Sequence, residues 1–232
     1  MKKIAFLIPS TSKNRDWKTL DETYLVQHSL PSIAPLSKDF FIKVFIGYDD
    51  DDKLYSNIDL PKFYTSDNSI IFELEWVKCN NMIGKPTHIW NHLGNVCLLQ
   101  DYEYMMVLGD DIICDKRKEW LGIFIKRLKA NNNIGFSAGW SNNDDIPTQF
   151  LIHKRHIDIF GWIYPPQIHN WFCDDFMSGL YGNKFGNWLK EYKLLNVGGE
   201  PRYTPNDDKK LCKMLVHRHR QKLVKEISLI ND

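Results

Sequence analysis

The sequence has no apolar run long enough to span a bilayer, since stretches such as 4–8 and 105–108 break off after one strand's length. Met1-Lys2-Lys3 leads straight into the first of them, so the pattern of a signal peptide is missing too. Cysteine is sparse. Cys79, Cys97, Cys114, Cys173 and Cys212 stand at wide spacings with no CxxC pair, which excludes a zinc ribbon and a dense disulfide framework and fits a reducing interior. Neither charge is in excess: 30 Lys+Arg against 29 Asp+Glu leave +1 at pH 7, which excludes binding a nucleic-acid polymer by bulk charge. No repeat, low-complexity tract or clear linker interrupts the 232 residues. What remains is 43% hydrophobic and 13% aromatic, enough for a sizeable core, and the expectation is a soluble, cytoplasmic protein. The Asn-, Ile- and Lys-rich composition suits an AT-rich genome, viral or bacterial.

Apolar runs alternate with helical stripes through the first half, which predicts an α/β fold with a mainly parallel sheet flanked by helices. Strands are expected over 4–8, 40–46, 70–77, 104–108 and 134–138. Helices are expected over 17–28, from Pro86 through Cys97, and around Trp120 to Leu128. Beyond that the rhythm loosens. Short strands near 150–153 and 194–197 lie among loops rich in Trp, Pro, Asn and Gly, and a basic helix follows Asp208. A regular nucleotide-binding half-sheet followed by a more variable half is the pattern this suggests.

Chemistry concentrates where strands stop. Gly109-Asp110-Asp111 closes the 104–108 strand, at the edge where open α/β sheets bind ligands. Two adjacent carboxylates repel unless a cation is present, and a Mg²⁺ or Mn²⁺ ion bridging a diphosphate answers that chemistry; Gly-Asp-Asp is equally good turn chemistry. The loop Pro9 to Arg15 and the tract Asp49 to Asp52 belong to the same edge. A carboxylate after the second strand can accept a base's imide or amino N–H, whereas Asp51 and Asp52 read as solvated loop.

This order of strands, the Pro9-Ser10-Thr11 loop, Gly47-Tyr48-Asp49-Asp50, the helix after Lys85 and then Gly109-Asp110-Asp111 resembles the GT-A fold of nucleotide-sugar glycosyltransferases, over most of the chain. The resemblance implies a GT-A-type, Rossmann-like sheet in a single domain over 1–232, with a nucleotide-binding half at 1–115 and an irregular acceptor-binding half at 116–232. It implies donor contacts from Pro9, Ser10, Thr11, Arg15, Asp49, Lys85 and Asp110, a UDP-sugar as donor, UDP-glucose among the candidates, and a glycan or glycoconjugate acceptor. The family's metal motif is Asp-x-Asp; here its first position is Gly109, and Asp111 matches the direct ligand of Mn²⁺ or Mg²⁺, with Asp110 at the ribose or metal waters.

Inverting members carry an acidic pair before a helix on the acceptor side, which Asp174-Asp175 resembles. Asp175 is the candidate base, with Asp174 either the base or the N-cap of a helix over 176–181. Among the aromatics Trp140, Trp162, Tyr164 and Trp171, the run 137–143 resembles the wall around the donor sugar, which puts Trp140 near it. His88 and His92 have zinc-helix spacing, but Ile89 stands where that motif needs glutamate. His217 or His219 is an optional late metal ligand, though the basic stretch 209–225 also reads as an amphipathic helix able to touch an acidic partner or lipid headgroups. Rivals remain. A polymerase palm needs far more chain and a basic channel. A sugar nucleotidyltransferase needs a Gly-rich loop that 10–15 does not supply, and a non-catalytic carbohydrate-binding module on the same fold stays open.

Overall fold

The computed structural model describes residues 1–200, 202–206 and 208–231. Its centre is an eight-stranded sheet in the order β3-β4-β2-β1-β5-β8-β7-β9. These are β1 (Lys2–Ser10), β2 (Phe40–Asp49), β3 (Phe63–Ser66), β4 (Ser69–Cys79), β5 (Tyr104–Val107), β7 (Phe136–Trp140), β8 (Phe150–His153) and β9 (Gly186–Lys193). Strands β4, β2, β1 and β5 run parallel, and β8 is antiparallel to both β5 and β7, so β7 points the same way as β5. Strand β9 is parallel to β7, so the C-terminal ends of six strands reach one edge. The remaining strands β6 (Ile112–Ile113) and β10 (Leu195–Asn196) form a small antiparallel ribbon above it.

The sheet is buried on both faces, which is why β1 reads as an unbroken apolar run. Ile4, Phe6 and Ile8 pack with Trp120, Phe124 and Leu128 of α3 (Trp120–Ala130), while Ala5 and Leu7 face Ile89, Leu93 and Cys97 of α2 (Pro86–Leu98). Each of the Ile, Leu and Phe side chains among them contributes about 1.5–3 kcal/mol when taken from water. The α2 face also carries α4 (Arg155–Phe160), α5 (Cys173–Phe185) and α6 (Lys209–Asn231). Gly47 lets α2 approach β2, because a Cβ there would lie 2.3 Å from Ile89 Cγ2.

The expected helix over 17–28 is replaced by an irregular one further along. A 3₁₀ turn at Leu20–Glu22, a π-helical stretch at Leu25–Ser29, α1 (Leu30–Ile33) and a second 3₁₀ turn at Ala34–Lys38 follow one another. Pro31 and Pro35 each remove an N–H and enter the first turn of a new segment, so the hydrogen-bond pattern changes at each. Within it Ser29 exchanges hydrogen bonds with the backbone of Ile112, at 3.0 and 3.1 Å, and anchors β6. The hairpin between β3 and β4 turns on Asp67 and Asn68, both at positive φ. No helix among the described residues is long and apolar enough to cross a membrane.

Candidate active site

Strand β5 delivers Asp110 and Asp111 to the shared edge, and a cation already sits on them. Asp110, only 1% exposed, accepts a 2.6 Å hydrogen bond from Ser10 Oγ. Ser10 Oγ in turn lies 2.6 Å from the Tyr55 hydroxyl. Arg202, from the segment between β10 and α6, grips both oxygens of Asp110: Nη1 reaches Oδ2 at 2.7 Å and Nη2 bonds Oδ1. Nη1 also donates to the Thr11 carbonyl at 3.0 Å, and Nη2 lies 3.5 Å from Asp111 Oδ2. Asp111 accepts from Asn196 Nδ2 at 3.3 Å; burial, then the neighbouring Asp110 charge, push its carboxyl up to about 6. Gln149 fixes the turn by accepting the Gly109 N–H at 2.9 Å.

The segment that carries Arg202 is fastened at both ends. Arg15 donates to the carbonyls of Gly198, at 2.7 Å, and Glu200, at 3.3 Å. Asn170 donates to the carbonyls of Gly84 and Thr204, both at 3.1 Å, and accepts from Asn206 N at 3.0 Å. Arg15, expected to contact the donor, holds this segment through Nη2, while its buried Nε has no hydrogen-bond partner among the described residues.

Asp52 corrects another expectation. It is 1% exposed rather than solvated, and its carboxylate accepts from Ser12 N at 2.7 Å, Ser12 Oγ at 2.8 Å, Thr11 Oγ1 at 3.1 Å, Leu54 N at 3.1 Å and Tyr55 N at 3.2 Å. It stitches the loop after β1 to the loop after β2. Asp51 is exposed and pairs with Lys13 Nζ at 2.6 Å. Asp49 is buried against the same Lys13 at 3.3 Å; burial pushes its carboxyl upward, and among the described residues its Oδ1 has no hydrogen-bond partner.

Two cavities meet at this edge. A narrow slot is lined by Pro9, Ser10, Thr11, Asp49, Lys85 and Pro86, among others. A cleft of about 550 Å³ holds Asp110, Asp111, Asp174, Asn143 and Gln149 on its walls. Pro9, Pro86, Arg202 and Tyr203 line both, so Arg202 stands on their shared boundary. The slot collects Pro9, Ser10, Thr11, Asp49 and Lys85 of the expected donor set.

The acidic pair divides. Asp174 lines the cleft, whereas Asp175 is exposed and lies outside it. Burial, opposed by the Cys173 thiol that donates to Oδ1 at 3.5 Å and aided by the Asp175 charge, pushes Asp174 up to about 7. Helix α5 starts earlier than expected, at Cys173, so neither aspartate caps it; the N-cap is Phe172, left-handed at φ 67. Both carboxylates lie in the first turn. Trp140 turns from the cleft: its Nε1 bonds Asp144 at 2.8 Å and Lys193 Nζ lies over its ring at 4.2 Å, leaving Ser141, Asn142 and Asn143 as the wall. Trp162 packs with Phe160, Phe176 and His219 of mid-α6, with His219 edge-on at 5.0 Å. His217 is exposed beside Gln221, so neither late histidine joins the carboxylates.

The expected divalent ion does not fit this arrangement of donors. Both Asp110 oxygens are taken by Arg202, with Ser10 adding a third bond, and the guanidinium fills the space a metal needs beside Asp111. Among the described residues no group of three or more His, Cys, Asp or Glu side chains converges as a ligand set.

No protein-family model matches the chain, and no curated protein matches its sequence. Solved structures do match its shape. TarS of S. aureus (residues 1–349) aligns at TM-score 0.51 and 15% identity over 84% of this chain, which spans 60% of that one. A Bacillus anthracis protein assigned as a glucose-1-phosphate thymidylyltransferase, in complex with sucrose, aligns at TM-score 0.52 and 11% identity over 82% of this chain and 86% of its own. The fold is GT-A-like: a mostly parallel sheet flanked by helices, with its cleft at the strand ends.

Proposed function

We propose that the chain is a glycosyltransferase that moves a sugar from a nucleoside diphosphate to a hydroxyl of a glycan or glycoconjugate, with inversion. One observation carries the reading: Asp174, poised near neutrality, faces the same cleft as Asp110 and Asp111, next to a slot with an orphan carboxylate oxygen on Asp49. Uracil suits the slot, since its imide N–H would satisfy Asp49 Oδ1. The sugar would lie in the cleft between Asn143, Gln149 and the carboxylates. Asp174 would take the acceptor hydroxyl's proton as that oxygen forms its bond to the anomeric carbon; the bond to the diphosphate breaks and its electron pair leaves with the nucleotide. Asp174 thereby replaces Asp175 as the base. Residues 1–115 supply most of the nucleotide side and 116–232 the acceptor side of one domain, with Arg202 and Tyr203 reaching back to line the nucleotide slot, and the exposed cations of α6, Lys213, Arg218, Lys222 and Lys225 among them, suit peripheral contact with an anionic surface.

The test is nucleotide release from UDP-, GDP- and TDP-sugars with glycan acceptors, with the anomeric configuration of the product read by NMR. Loss of UDP release in Asp174→Asn supports the reading. Pyrophosphate release from a nucleoside triphosphate and a sugar phosphate would instead make it a nucleotidyltransferase.

A further inference from the structure

We infer that Arg202 is the resident cation of this donor site, and that the diphosphate of the nucleotide is held by its guanidinium without a divalent metal ion. This rests on the proposed function above and specifies how the charge of its donor is met.

Three observations carry it. Arg202 grips Asp110 with two parallel hydrogen bonds, the geometry in which guanidinium and carboxylate match best. Its side chain is only 12% exposed and Asp110's only 2%. A metal ion entering here must break a buried ion pair and leave the guanidinium uncompensated, which is strongly unfavourable. Second, Asp110 is also bonded from the other side by Ser10, so three hydrogen bonds fix it in the orientation that holds the guanidinium. Third, Arg202 lies on the boundary of slot and cleft, and a nucleotide with its base in one and its sugar in the other must pass its diphosphate there. Arg202 is the one cation lining the cleft among the described residues, and Lys85 is the second cation of the slot. With Nη1 committed to Asp110 and Thr11, phosphate oxygens would meet the remaining N–H groups and the fixed positive charge of the guanidinium.

The position is also built rather than incidental. Arg15 and Asn170 hold the backbone on either side of Arg202, and its Nη1 is steadied by the Thr11 carbonyl. The pairing joins residues 92 positions apart, which no local turn would produce.

The experiment is calorimetric titration of the full chain with UDP, in excess EDTA and in Mn²⁺. Equal affinity in both is expected, with a loss of more than about tenfold in Arg202→Gln and a partial recovery in Arg202→Lys, which keeps the charge but not the fork. Mn²⁺ alone, followed by electron paramagnetic resonance, is expected to stay free with the native chain and to become bound in Arg202→Gln, whose carboxylates are released. Should Arg202→Gln fail to fold, the native chain in EDTA still decides. UDP binding that vanishes in EDTA and returns with Mn²⁺, or that is unchanged in Arg202→Gln, overturns the inference and leaves the glycosyltransferase reading standing. Absence of binding by UDP, GDP and TDP under both conditions overturns both.

Discussion

Gly198 passes so close to Asp111 that a Cβ at this position would lie 1.8 Å from Oδ2 and 2.6 Å from Cγ. The loop after β10 is thus pressed onto the carboxylate pair, with Val197 N–H on the Asp111 carbonyl at 2.9 Å. Gly198→Ala must push Asp111 aside or lift the loop. Either outcome disturbs the carboxylate, so turnover should fall at least tenfold, with a stability loss of about 1–3 kcal/mol typical of overpacking. Paired kinetic and thermal-unfolding measurements check this, and unchanged values would mean that the loop stands off Asp111 in solution.

Replacing Asp174 by Asn should lower kcat by roughly 10²–10⁴, the usual contribution of a general base, while Asp175→Asn should change it less than about threefold. Because the base acts ionised and burial sets Asp174 at about 7, the rate of the native chain should rise with pH and level off above neutrality. A profile flat from pH 5 to 9 would remove Asp174 from the role.

Asp174 also sets a pH dependence of stability. Its folded pKa, about 7, is above the ordinary 3.8, so the folded state binds the proton more tightly than the unfolded one. Its contribution is complete below about pH 4 and is lost as pH rises through 7. Asn never ionises. Asp174→Asn should therefore be the more stable protein at pH 8, by about 1–3 kcal/mol, with the gap closing toward pH 4. Urea denaturation across this range gives the answer.

Asp52→Ala removes five acceptor contacts from a buried clamp and leaves the N–H groups of Ser12, Leu54 and Tyr55 without partners. A loss of about 2–4 kcal/mol is expected, in a residue outside both cavities. Asp51→Ala, exposed on the same loop, should cost less than about 0.5 kcal/mol. Chemical denaturation of the two variants separates the clamp from the loop.

Much of this architecture was legible because burial on both faces writes long apolar runs into β1, β2 and β5, and because Pro86 and the stripe Ile89, Leu93, Cys97 mark α2 at its observed start. The strand-end carboxylates were legible for the same reason: charge directly after an apolar strand is conspicuous. What escaped was decided at long range. Arg202 carries no local pattern, and its partner is fixed only when the β10 ribbon folds back over β6. Asp52 looked like one more acid in an acidic loop until the N–H groups of the first loop converged on it. Trp140 had the residue type of a sugar platform, but Lys193 and Asp144 claim its ring and its N–H. In the pair Asp174-Asp175, one residue of helical phase, invisible to composition, decides which carboxylate meets the cleft.

The ion pair between Asp110 and Arg202 also imposes an order on biosynthesis. Chains emerge from the ribosome N-terminus first, at about 5–20 residues per second. Asp110 appears early, on the end of a strand that is ready to join β1, while its counter-charge is made 92 residues later. Until then the growing sheet carries a carboxylate pair without the guanidinium that grips Asp110, and water solvates that edge. Closing it waits on a residue made after every strand of the central sheet, so this edge is finished later than the strands that form it.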